Sequence, residues 1–198
     1  MTRLRSRSDA GQAFPIYITV VAGLLFLAFA YLAVGQAAAN RNGAQTAADA
    51  AALAAAQDAR DQLARAWAEN VLDPTKWQII FDGKAPLDDA CWRAYDLAAL
   101  NNAEVEDCGT EGPLRYLVLV ESNEPVGDSI VPNTENQYSK ASATAVVEPL
   151  CQFDPLGADA ADDELPRLMC EDRFWDLDPE DLDELPKPED LFDVHLAD

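Results

Sequence analysis

The stretch of sequence that decides the fold is residues 10–40, which read AGQAFPIYITVVAGLLFLAFAYLAVGQAAAN. It holds no charged residue, and its apolar centre, Phe14 to Val34, is 21 residues long. A helix of that length is roughly 31 Å long, which matches the hydrocarbon thickness of a bilayer. Pro15 falls in the first turn, where the N–H that proline lacks would have no helical partner in any case. We therefore predict a transmembrane helix over residues 13–35.

Two other interpretations of this stretch exist. In a soluble protein it would be a buried core helix, although few soluble helices carry so long an uncharged run. In a secreted protein it would be a signal peptide cleaved after the run Ala37-Ala38-Ala39, although the apolar core of a signal peptide usually spans only about 7–15 residues. The length of the stretch favours a retained anchor.

The charges divide the chain into three pieces. The net charge of the 198 residues is −22. Residues 1–12 form a basic stub with three arginines and one aspartate, and all of the negative charge lies beyond residue 40 except for that aspartate. Because basic residues flank membrane spans on the cytoplasmic side, we predict a cytoplasmic N-terminus and an extracytoplasmic remainder. The acidic exterior would repel a phosphate backbone, which argues against nucleic acid as a partner.

A second helix is predicted over residues 36–73, directly after the span. Residues 44–70 read AQTAADAAALAAAQDARDQLARAWAEN, rich in the best helix former and free of Gly and Pro. The span and this segment together predict one rod of about 55 residues, roughly 80 Å long. The turn-type dipeptide Asn42-Gly43 is the place where the rod would kink or break instead.

The sequence leaves open what the apolar side of this helix packs on. Trp67 and Val71 are expected to pack on the domain that follows. The small side chains further up the helix allow close approach of a neighbouring helix, from a second copy or a related protein, and core packing is the alternative. The helix-packing candidates are Ala48, Ala51, Ala52 and Ala55.

The N-terminal third resembles a known family. Gly11-Gln12-Ala13, a membrane span, and then QTAADAAALAAA at residues 45–56 resemble the TadE/TadG-like proteins of Tad (Flp) pilus systems. The resemblance covers roughly residues 8–60. It implies a pilus-assembly or minor pilin-like envelope protein, not an enzyme, whose partners are other Tad-type envelope proteins or further copies, reached through the N-terminal helix.

The same resemblance makes Gly11 a possible processing site. Prepilins are cut after a glycine and carry a Glu five residues beyond it, where this chain has Ile16. In this respect the chain is more similar to TadG-like members than to a major pilin.

Residues 74–153 are predicted to form a small head. Trp77 to Phe81 is interpreted as a short strand ended by Asp82-Gly83, and Cys91 to Leu100 as a short helix. The strongest strand patterns are at residues 114–121 and 140–148, which are expected to pair antiparallel. A long helix on a small antiparallel sheet is an α+β fold, and it resembles a pilin head.

The four cysteines are predicted to form disulfides. Pairing neighbours in the sequence gives Cys91–Cys108 and Cys151–Cys170, each closing a loop of about 20 residues and contributing roughly 3 kcal/mol. Reduced, buried thiols are the alternative. The chain has no C-x-x-C motif and no histidine close to a cysteine, so no zinc site is predicted.

Residues 154–198 form an acidic tail with 17 acidic and three basic residues. Leucines and aromatic residues are interleaved with the acids, which favours short acidic turns that dock on the head or on a partner. Plain disorder beyond Cys170 is the alternative. The acidic spacing does not match an EF-hand loop, and no cofactor or metal is predicted.

No catalytic motif stands out. The chain has one histidine, His195, and lacks a P-loop or a dinucleotide-binding glycine motif. The sequence thus favours a structural envelope protein. The alternative function is a membrane-tethered extracytoplasmic binding module, or a secreted protein, whose acidic surface binds a partner.

Overall fold

The structure is a computed structural model, and it describes residues 13–127, 136–157, 164–171, 173–182 and 185–197. The basic stub and the possible processing site at Gly11 lie outside these residues.

One helix dominates the molecule. Helix α1 (Ala13–Glu69) runs for 57 residues without interruption, so the prediction of a single rod is confirmed. It passes straight through Asn42-Gly43, where Thr46 Oγ1 donates a hydrogen bond to the Asn42 carbonyl at 3.0 Å. A single Gly costs a helix only about 1 kcal/mol, and the alanine-rich turns that follow offset that cost.

The head contains a four-stranded antiparallel sheet. Its strands are β1 (Ala103–Thr110), β2 (Arg115–Pro125), β3 (Tyr138–Pro149) and β7 (Phe192–Leu196), in the spatial order β1-β2-β3-β7. The predicted antiparallel pairing of β2 with β3 is confirmed, with Val118 opposite Ala143 and Val120 opposite Ala141. The C-terminal half of α1 covers one face of this sheet, which makes the fold α+β as predicted.

Alternation along β2 and β3 explains which face α1 covers. Tyr116, Val118 and Val120 are buried and alternate with the half-buried Leu117 and Leu119. Side chains of successive residues point to opposite faces of a strand, so the first set packs under α1 and the second faces outwards.

Smaller elements complete the head. Helix α3 (Cys91–Leu100), which the sequence predicted, packs on α1 and beside β1. A second sheet joins three-residue strands, β4 (Cys151–Phe153), β5 (Leu168–Cys170) and β6 (Arg173–Trp175). A four-residue helix α4 (Pro188–Leu191) leads into β7.

The predicted strand at residues 77–81 is wrong, because this segment is helix α2 (Trp77–Phe81). Its buried side chains are Trp77, Ile80 and Phe81, a helical spacing, while Ile79 is exposed. Gly83 stops the helix in a left-handed conformation (φ 67°), and the amides of Gly83 and Lys84 bond the carbonyls of Ile80 and Ile79, both at 2.9 Å. Asp82-Gly83 therefore caps a helix and does not end a strand.

Part of the acidic tail belongs to the head. Strands β5, β6 and β7 all lie beyond residue 153, and β7 pairs with β3 through five residue pairs. Leu191 and Phe192 are fully buried. The described strands of this segment therefore pack on the head, where the sequence left docking and disorder as alternatives. Residues 158–163, at the start of the tail, lie outside the description.

An aromatic cluster holds the far end of the head together. Trp67 of α1 contacts Trp77 at a ring-centroid distance of 5.5 Å, and Trp77 contacts Phe153 at 5.2 Å. Phe81 joins the cluster to Phe192 at 5.4 Å. Four elements that are distant in sequence thus meet in one apolar contact network.

Candidate functional site

The N-terminal half of α1 is a long apolar surface. Within the described residues it is the one helix long and apolar enough to cross a membrane, and no residue of its most apolar window is buried in the head. Its large side chains are more than two-fifths exposed, which a soluble core helix would not allow. They are Ile16, Tyr17, Ile18, Val20, Leu24, Leu25, Phe26, Leu27, Phe29, Tyr31, Leu32 and Val34.

The helix meets the head at Asn40. Asn40 Nδ2 donates to the Glu124 carbonyl at 2.9 Å, and Ser122 Oγ lies 3.4 Å from Asn40 Oδ1. One turn further along, Gln45 Nε2 donates to Asp49 at 2.7 Å and to the Ser142 carbonyl at 3.4 Å. The bonds of Asn40 to Glu124 and of Gln45 to Ser142 join α1 to β2 and β3 at the point where the exposed half of the helix begins.

The four alanine candidates pack inside the chain. Ala48, Ala51, Ala52 and Ala55 are each 0% exposed and belong to the hydrophobic core that α1 forms with β2, β3 and α3. Of the two packing partners that the sequence left open, the structure places the chain's own head against these residues. At 0% exposure they have no surface available to a second chain in this fold.

Both disulfides are present, in the pairs that neighbouring positions suggested. Cys91–Cys108 joins the start of α3 to β1, with Cα atoms 5.9 Å apart. Cys151–Cys170 joins β4 to β5, where the two residues stand directly opposite each other. The first bridge links α3 to the large sheet, and the second links two neighbouring strands of the small sheet.

The bridges have a measurable consequence for stability. Replacing Cys91 and Cys108 together with serine is expected to lower the free energy of unfolding by about 3 kcal/mol, since the unfolded chain regains the freedom of the opened loop. Guanidinium unfolding followed by tryptophan fluorescence measures the loss. The control is alkylation of the exported wild type without reductant, which should modify no thiol; modification of all four would contradict the bridges.

The cavities of the described residues are open to solvent, and the one lined by Pro74, Phe153, Pro155 and Leu156 is mainly apolar. One of about 450 Å³ is lined by Glu104, Glu106 and Glu121 with Tyr138. Lys140 pairs with Glu106 and with Glu121, and its ammonium holds the pKa of Glu106 below its usual value. This charge pairing lies on the outer face of the sheet and leaves no cluster of carboxylates free for a cation: in the described ranges, no group of three or more His, Cys, Asp or Glu could hold a metal.

Tyr116 and His195 are two titratable residues of the head whose neighbours the structure defines. Burial raises the pKa of the Tyr116 hydroxyl, and the nearby carboxylates of Asp58 and Asp89 raise it further. His195 is exposed and its Nδ1 lies 2.9 Å from Asp193 Oδ2. Neither arrangement places a base beside a nucleophile.

An exposed aromatic face on α3 escaped the sequence reasoning. Trp92 and Tyr95 are 50% and 52% exposed, while Ala94 and Ala98 on the opposite side are buried against α1. Trp92 Nε1 donates to Asp58 Oδ2 at 3.3 Å. The signal was present in the helical spacing of these residues, but the sequence did not show which side of α3 would face α1.

Comparison with known proteins adds one family. Residues 11–58 match the model of the TadE/G-like family of Flp pilus-assembly proteins. The TadE/G-like region therefore covers the apolar half of α1 and its first buried turns, and it stops before α2 and the sheet. No curated protein and no solved structure matches the chain.

Proposed function

We propose that this protein is a non-enzymatic, membrane-anchored component of a Tad-type pilus-assembly system in the bacterial cell envelope. Its N-terminus lies in the cytoplasm and its head lies outside, as the basic stub indicates. The observation that carries the proposal is the continuity of α1. One unbroken helix contains both the exposed apolar span and the alanine segment that matches the TadE/G-like family.

The structure also supports different roles for the two halves of α1. The apolar half is exposed and is free to contact lipid or the spans of other envelope proteins. The alanine half is buried in the head, where it fixes the head's orientation relative to the span. Partners in a pilus-assembly system would therefore meet the span or the outer surface of the head.

The test is deletion of the gene, followed by complementation and counting of surface pili. Wild-type protein should restore pili. The matched control is a chain whose residues 1–39 are replaced by a cleavable secretory signal, so that the head is exported without its anchor. We expect that this control fails to restore pili, because a free head cannot be held beside membrane-bound partners. Normal pili in the deletion strain would refute the proposal.

The mature N-terminus separates the three possible fates of the span. A retained anchor gives the mass of the intact chain, prepilin processing gives a chain that begins at Gln12, and signal cleavage gives one that begins at Asn40. We propose the retained anchor. Mass spectrometry of the membrane fraction measures the difference, and a head that begins at Asn40 would favour the secreted alternative.

One observation favours the tethered binding module as a second candidate. Trp92 and Tyr95 lie on the exposed face of α3. Asp88, Asp89 and Asp96 are exposed and close to them in sequence, and the Arg93 guanidinium lies 5.0 Å from the centre of the Trp92 ring. Aromatic residues dominate the energetic centres of protein interfaces, and the acidic surroundings suit a basic partner. A photo-crosslinking residue at Tyr95 should capture such a partner, whereas the same residue at Asp193, exposed on β7 at the opposite edge of the sheet, should not.

A further inference from the structure

The β2–β3 hairpin points towards the membrane end of α1. Tyr116, at one end of β2, lies close enough to Asp58 for that carboxylate to raise its pKa. Further along β2, Leu119 pairs with Ser142 of β3, and the Ser142 carbonyl accepts a hydrogen bond from Gln45 of α1. The Glu124 carbonyl, near the other end of β2, accepts a hydrogen bond from Asn40. Moving along β2 from residue 116 to residue 124 thus means moving along α1 from residue 58 back to residue 40.

The hairpin continues beyond the point where the head meets the helix. Pro125 pairs with Tyr138, and the Val126 amide donates to the Gln137 carbonyl at 2.8 Å. A strand advances about 3.3 Å per residue, so Pro125, the last residue of β2, lies about 3 Å past Glu124 in the direction of the span, and the Val126–Gln137 bond continues the pairing beyond it.

The remaining distance to the bilayer is short. Asn40 comes six residues after Val34, the last residue of the apolar centre, which is about 9 Å of helix. The headgroup layer on each side of the hydrocarbon is about 5–7 Å thick. Asn40 therefore lies near the outer boundary of that layer, and residues beyond Glu124 reach into it.

The side chains at this level suit the interface between lipid and water. Tyr138 is 47% exposed, and Pro125 and Val126 are half-buried. Tyrosine has an apolar ring and a polar hydroxyl, which is why it is enriched at membrane interfaces. Arg41, which follows Asn40 in α1, is exposed, and its guanidinium matches the geometry of a lipid phosphate. The exposed Glu124 at the same level disfavours a strongly anionic surface.

We infer that the hairpin end formed by Pro125, Val126 and Tyr138, together with Arg41, docks on the phosphate headgroups of the bilayer that α1 spans. The inference rests on the membrane anchoring proposed above but not on any role in pili. Docking holds the head against the membrane in one orientation. In that orientation, the outer face of the sheet and the aromatic face of α3 point parallel to the membrane plane.

The test places a fluorescent bimane label at single cysteines of the full chain, reconstituted in phosphatidylcholine vesicles. The label goes on Val126→Cys, and the matched control is Thr110→Cys, exposed at the opposite end of the same sheet beside Tyr116. The native cysteines are paired in disulfides and do not react with the label. Headgroup nitroxide lipid should lower the emission at residue 126 by about half or more and leave that at residue 110 nearly unchanged.

Each other outcome has a defined meaning. Weak quenching at both positions overturns the docking, and strong quenching at both means that the head lies flat on the membrane, which also overturns it. A third label at Leu25→Cys, quenched by nitroxide in the acyl chains, reports insertion of α1. If that label is not quenched, the anchoring itself has failed, which separates this result from a failure of the docking alone.

A second pair of variants tests the named contacts. Tyr138→Ala and Arg41→Gln, each combined with Val126→Cys, should weaken headgroup quenching at residue 126 without changing quenching at Leu25→Cys. Protection of the native cysteines from alkylation shows that each variant head is folded. Unchanged quenching in both variants would refute the assignment of these two side chains.

Discussion

Replacing Phe192 with alanine is expected to lower the free energy of unfolding by about 3–5 kcal/mol. Phe192 is 0% exposed, begins β7 and contacts Phe81 at 5.4 Å. Its removal leaves a cavity in the aromatic cluster that joins α1, α2, β4 and β7. A domain of this size is typically stable by only about 5–15 kcal/mol, so the variant loses a large share of its stability.

The control for this prediction lies in the same acidic tail. Phe174→Ala makes the same chemical change at a side chain that is 59% exposed, and it should shift stability by no more than about 0.5 kcal/mol. Guanidinium unfolding of the full chain in detergent, followed by the fluorescence of the buried Trp67 and Trp77, measures both. Equal effects of the two substitutions would mean that the end of the chain is not part of the head's core.

The second large effect is expected at the alanine stripe. Ala51→Phe places a ring in the core that α1 forms with the sheet and α3, at a position with 0% exposure, so α1 must move away from these elements. Overpacking by a few methylene groups usually costs about 1–3 kcal/mol, and a whole ring should exceed that range. The matched control is Ala68→Phe on the exposed side of the same helix.

The stability of the monomer distinguishes the two packing partners considered for the alanine stripe, which are the chain's own head and a second chain. Packing on the chain's own sheet predicts that Ala51→Phe lowers the unfolding midpoint of the purified, monomeric chain. Packing on a second chain predicts a stable head that fails only in assembly. A monomer of normal stability carrying Ala51→Phe would therefore contradict the buried position.

Much of the secondary structure follows from local pattern. The 57-residue helix was predicted from an uncharged apolar run followed by an alanine-rich segment, and the helix at Cys91–Leu100 and the antiparallel pair β2–β3 from local residue pattern; all three are confirmed. Residues 77–81 misled the sequence reasoning because a five-residue segment with four apolar or aromatic side chains fits a strand and a helix turn equally well. The decision came from Pro74 before the segment and from the left-handed Gly83 after it.

By itself the sequence determined the features that depend on composition and spacing along one segment. These are the uncharged span of bilayer length, the alanine helix, the two central strands and the separation of charge between the ends of the chain. The tertiary structure alone decided which elements meet. It placed Phe192 in the core and β7 at the sheet edge, although both lie in a strongly acidic segment, because a few apolar side chains gain more from burial than the solvated acids beside them lose. It also placed the alanine stripe in the core and the aromatic face of α3 on the surface. These orientations depend on the sheet that α1 covers, because neither helix by itself determines which of its sides is buried.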